Sequence, residues 1–133
     1  MTTTTHTAIT DQTCYDVLTT ALEGGYAEEF EVLEYERDAD LNILWAKVRQ
    51  AEGYEVGDDF DLAWTETLDV RTIRTGFRRY TAWVRQNDPE HQSYLGQEWE
   101  RAHDPDGDGW TELDAIGADA VLQFACFKEI VFS

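Results

Sequence analysis

Positive charge is scarce in this chain. Lys47 and Lys128 are its only lysines, and with eight arginines they face 28 acidic residues, for a net charge of −18 over 133 residues. A surface that grips phosphates needs clustered outward cations, so a direct nucleic-acid binder is not expected. Apolar runs are short, and none approaches the roughly 18–20 residues that a membrane-spanning helix needs. There are two cysteines, Cys14 and Cys126, near opposite ends of the chain. One distant pair is no disulfide framework, and both read as small apolar thiols. The three histidines, His6, His91 and His103, are too dispersed for a metal site or a triad. No serine stands in a G-x-S-x-G setting and no glycine-rich phosphate loop occurs, so no enzyme is expected. Met1 to Thr7 has neither a basic region nor an apolar core; it reads as a flexible arm over residues 1–10, not a secretory signal. The expected compartment is the cytoplasm.

What is present is enough to fold. Hydrophobic residues make up 42% of the chain and aromatic ones 13%, so the acidity does not imply disorder. The length fits one domain, here residues 11–133. Asp11 is a candidate cap for a helix over Gln12–Glu23, which the Gly24-Gly25 pair ends. Glu28–Glu36 alternates charge with aromatic and β-branched residues, as a half-buried strand does. Arg37–Asp40 reads as a turn. Leu41–Gln50 reads as a second strand, with Leu44, Ala46 and Val48 on one side and Ile43, Trp45 and Lys47 on the other. Phe60, Leu62 and Trp64 mark a third strand by their period of two.

Thr67 or Asp69 then caps a helix to about Gln86, whose stripe of Val70, Ile73, Phe77, Tyr80 and Val84 steps by three and four. Asp88-Pro89 is expected to open another helix, with the proline in its first turn. Thr111 is expected to cap the last helix, whose apolar face holds Leu113, Ile116, Ala120, Val121, Phe124 and Phe127. The hydrophobic tail Ile130-Val131-Phe132 should dock on the core or add an edge strand. The order argues for an α+β fold, a three-stranded antiparallel meander packed by about four helices.

Three charged features bear on function. From Glu23 to Asp40 the acids outnumber the one cation, Arg37. Same-face strand residues lie about 6–7 Å apart, near the phosphate step along one DNA strand. Glu28, Glu29, Glu31, Glu34, Glu36, Asp38 and Asp40 therefore form a candidate binding face, able to occupy a cationic groove as a DNA mimic would; the alternative is a solvated sheet face. Arg71, Arg74, Arg78, Arg79 and Arg85 lie within fifteen residues that hold no acid. A cationic helix can hold phosphate, but in so acidic a chain it is expected to pair with the protein's own carboxylates.

Asp104-Pro105-Asp106-Gly107-Asp108-Gly109 fits the opening of an EF-hand loop. Asp104, Asp106, Asp108, the Trp110 carbonyl and Glu112 would supply calcium ligands. Ala115 stands where the bidentate carboxylate belongs. The competing reading is an acidic interhelical turn whose aspartates bond nearby amides.

Three patches carry a resemblance. Ala21-Leu22-Glu23-Gly24-Gly25-Tyr26 resembles an AL-x-GG helix end. Leu68-Asp69-Val70-Arg71-Thr72-Ile73-Arg74-Thr75-Gly76 resembles an L-T-x-D-T-I-x-x-G helix start. Asp119 to Phe132 resembles the ending DA-xx-Q-x-A-x-F-G-E-I-V-F/Y-G, with Lys128 in place of a glycine. Together these resemble small accessory proteins of bacteriophages and related mobile elements. The resemblance implies a protein made inside an infected bacterium, and it implies no activity. The resulting expectation is a non-enzymatic protein that binds and modulates a host protein with a cationic groove. A calcium-binding module and a domain whose acidity is a salt adaptation are the alternatives.

Overall fold

The computed structural model describes residues 9–24, 30–50, 65–107 and 109–127. Four α-helices and a three-stranded antiparallel sheet follow one another as an α+β meander with helices. The elements are α1 (Asp11–Glu23), β1 (Phe30–Arg37), β2 (Ile43–Gln50), β3 (Thr65–Leu68), α2 (Val70–Asn87), α3 (Tyr94–Ala102), a 3₁₀ turn (Gly109–Glu112) and α4 (Ala115–Phe127). The strand order is β1-β2-β3, so β2 is central. Residues Phe60, Leu62 and Trp64 of the expected third strand, and the tail from Lys128, lie outside the described residues.

Caps explain where the helices begin. Thr10, not Asp11, caps α1: its hydroxyl accepts from the Thr13 amide at 3.1 Å. Asp11 is thereby released to pair with Arg74 at 2.7 Å. Asp69 caps α2 in a full capping box, its carboxylate accepting from the Arg71 and Thr72 amides while the Thr72 hydroxyl accepts from the Asp69 amide. Asp88-Pro89 does not open a helix. Asp88 folds back on the turn instead, accepting from the Gln92 amide and from both the amide and hydroxyl of Ser93. His91 takes a positive φ of 57°, which no helix accommodates, and Ser93 caps α3 by accepting from the Gly96 amide. Thr111 likewise lies inside the 3₁₀ turn rather than at a cap. Asp114 takes that role, accepting from the Gly117 amide at 2.9 Å.

The core is built around α4. From Gly117 to Phe124 every residue of this helix is buried, against the expectation of an apolar stripe. The burial takes in two polar residues one turn apart, Asp119 and Gln123, and the Gln123 side-chain amide donates to the Asp119 carboxylate at 2.9 Å. Here α1, α2, α3 and β3 all pack on α4. Phe124 meets Tyr80 at 5.6 Å between ring centroids, and Trp110 meets Phe77 at 4.5 Å. The approach of α2 is close because Gly76 faces α4. A Cβ there would overlap the Val121 carbonyl oxygen and press on Val121 Cγ1 at 3.0 Å.

The sheet presents its inner face, with Ala46, Val48 and Leu68, to the helices. Two irregularities set which residues point there. Val32 pairs with Val48 and Glu34 with Lys47, so Leu33 is an extra residue on β1. Glu36 pairs with Trp45 and Arg37 with Ile43, so Leu44 is an extra residue on β2. The second irregularity turns Ile43 inward, where it is buried, and corrects the expected alternation that placed it beside Trp45.

Candidate functional site

The acidic strand is where the sequence directs attention. Residues opposite one another in an antiparallel pair share a face. Glu31 lies opposite Arg49, Glu34 opposite Lys47 and Glu36 opposite Trp45, all on the face away from the helices. A strict period of two would place Glu31 and Glu34 on opposite faces. The extra residue at Leu33 restores them to one, so three carboxylates form a single outward row.

This row is partly answered from β2. Arg49 Nε donates to Glu31 at 2.8 Å, and that hydrogen bond holds the Glu31 carboxyl below its ordinary range. The Trp45 indole donates to Glu36 at 3.4 Å. Asp38 is committed to its own turn, accepting from the Asp40 and Asn42 amides and from the Asn42 side chain. The Asn42 amide group is the leading cause of its lowered pKa. Asp40 is exposed at the turn. Glu28 and Glu29 lie outside the described residues. The cations Lys47 and Arg49 were legible as alternate residues of the second strand, but their register opposite Glu34 and Glu31 depended on the bulge at Leu33.

The sequence did not single out the apolar side of the same strand. Helices pack against β2 and β3 and against the start of β1, where buried Phe30 stacks on Phe127 of α4 at 6.2 Å, while the rest of β1 forms the rim of the described sheet. Val32 and Tyr35 have inward register, yet they are 38% and 56% exposed, and Leu33 is 40% exposed. At the turn, Leu41 takes a positive φ of 67° and is 67% exposed. Arg37 stitches this end together. Its guanidinium sits 5.2 Å from the Tyr35 ring centre and donates to the Leu41 carbonyl at 2.7 Å and to Glu23 at 2.5 Å. The hydrogen bond to Glu23 raises the Arg37 pKa. The rim of β1 thus combines Glu34, which has no ion pair among the described residues, partly answered Glu31 and Glu36, and exposed apolar side chains.

The arginines of α2 divide in two. Arg74 donates to Asp11 and to the Ile9 carbonyl, and Arg79 donates to the Phe124 and Ala125 carbonyls at the end of α4. Charge and dipole both favour that second placement. Arg71, Arg78 and Arg85 are exposed and have no carboxylate partner among the described residues.

The described part of the acidic loop before Asp108 forms a turn. Asp104 accepts from the Asp106 amide at 2.9 Å. Gly109 has φ 79°, a value that favours glycine. The Trp110 indole is buried against Phe77, Tyr80 and His103. Glu112 reaches back over Gly107. Asp108 lies outside the described residues. Among the described residues, no three of His, Cys, Asp and Glu converge as a metal-ligating group.

Neither cysteine forms a disulfide. Cys14 is buried, and desolvation pushes its thiol up to about 11, which makes it inert as a nucleophile. Buried Glu98 is structural: it accepts from the Asp114 amide and pairs with Arg101. A cleft of about 480 Å³ beside α3 is lined by Trp99, His103 and Asp104, but the His103 ring stacks on Trp99 at 3.9 Å and occupies one face of the indole. No helix among the described residues is long and apolar enough to cross a membrane. No protein-family model, no curated protein and no solved structure matches the chain.

Proposed function

We propose that the chain is a non-enzymatic accessory protein of bacteriophage type that binds a cationic surface of a host protein. One observation carries this reading. With Leu33 left out of the pairing, Glu31, Glu34 and Glu36 stand in one outward row. A row of one sign attracts a complementary partner and speeds its encounter. The DNA-mimic form of the reading asks more, because Arg49 subtracts Glu31 from the row and Asp38 is committed to its turn. A partner protein with a short basic segment asks less.

The test is capture from bacterial lysate on immobilised protein, comparing the natural chain with Glu34→Lys/Glu36→Lys. The reading expects a basic protein that is released by about 0.5 M salt and is lost with the variant. Capture that ignores both salt and the charge reversal would overturn it.

A second reading has its own support. Exposed or half-exposed carboxylates also stand on α1 (Asp11, Asp16), on β3 (Glu66) and around α3 (Glu90, Glu100, Asp104, Asp106). A spread of that kind is what adaptation to a salt-rich interior produces. Unfolding at low salt with recovery at molar salt is its signature.

A further inference from the structure

The rim of β1 has two faces of different chemistry, and together they specify what sits beside it. We infer that β1 accepts an added strand from a partner, an extended segment in which basic and apolar residues alternate. The inference rests on the reading of a cationic partner and names how that partner is held.

A strand added to a sheet edge hydrogen-bonds along the backbone, and its side chains alternate between the two sheet faces. On the outward face they would lie beside Glu31, Glu34 and Glu36. On the other they would lie beside Val32 and Tyr35, which have inward register but remain exposed. Basic residues suit the first row and apolar residues the second.

A second copy of the chain is a poor occupant. Antiparallel pairing of β1 with itself would set one glutamate row against another, and like charges directly opposite are destabilising. The extra residue at Leu33 also interrupts regular pairing, as natural edge strands often do to avoid indiscriminate association. The carboxylates and this interruption discourage neutral and acidic strands. A basic one gains from the same carboxylates. The edge is therefore selective rather than generally adhesive.

Two synthetic ten-residue peptides test this. One alternates Lys and Val; the other has the same composition with its lysines and valines in separate blocks. Each is titrated into isotope-labelled protein at low salt and followed by amide shifts and hydrogen exchange. The inference expects the alternating peptide to bind at least about tenfold more tightly. It also expects slowed exchange confined to Val32–Glu36, and loss of both effects in Glu34→Lys/Glu36→Lys. Equal binding by the two peptides, or shifts centred away from β1, would overturn strand addition and leave the cationic-partner reading standing. No binding by either peptide would overturn both.

Discussion

At the scale of single residues, the buried groups decide how the protein meets alkali. Cys14 lies against the Val70 carbonyl with its thiol pushed up to about 11 from an ordinary 9.0. Tyr80 is fully buried, its hydroxyl donating to the Leu95 carbonyl at 2.6 Å, and desolvation raises its pKa as well. Both groups hold their protons more tightly when folded than when unfolded. Their contribution is therefore complete below the unfolded values and is lost as pH rises through the folded ones. Raising the Cys14 thiol from 9.0 to about 11 is on the order of 2–3 kcal/mol. Chemical denaturation at a series of pH values should show stability falling steadily from pH 9 toward pH 11. Cys14→Ala should flatten the first part of that fall. A profile flat to pH 11 would contradict the assignment.

At the scale of elements, the contact between α2 and α4 depends on Gly76. Gly76→Ala would drive a methyl into the Val121 backbone. Overpacking of this kind costs about 1–3 kcal/mol, and because the obstacle is main chain rather than a flexible side chain, the upper half of that range is expected. A lowered midpoint in urea at unchanged slope is the measurement. The α2 stripe itself was plain in the sequence, because Ile73, Phe77, Tyr80 and Val84 are all buried and face one way. For α4, periodicity carried less information, since a helix enclosed by four neighbours buries its whole circumference, the hydrogen-bonded pair Asp119 and Gln123 included. The start of α3 was misplaced for a different reason. Proline in a first turn is a sound general signal, but the Asp88 carboxylate and the Ser93 hydroxyl together close a turn that holds Pro89 outside the helix. The candidate site was half legible. The acids of β1 were evident by composition. Their common face was not, because one additional residue in a strand leaves no mark on alternation counted from sequence. Trp110 was considered for its carbonyl, whereas its indole fills the space between α2 and the loop.

At the scale of the whole molecule, a net charge of −18 on 133 residues opposes compaction through self-repulsion. The described cations relieve this only locally, as in Arg37 with Glu23, Arg49 with Glu31 and Arg74 with Asp11. Salt shortens the reach of the remainder, from about 30 Å at 0.01 M to about 10 Å at 0.1 M. The melting temperature is expected to rise by several degrees over that interval and then level off. A further steep rise into molar salt would favour adaptation to a salt-rich cell over partner recognition, and scanning calorimetry in potassium chloride separates the two. The additional leucine in the first strand has one more consequence. Because the pairings on either side of it are already in phase, excising Leu33 would leave every glutamate pointing where it does now. An in-frame loss of that codon would straighten the ribbon and lengthen its uninterrupted border, trading discrimination for grip without touching the charges.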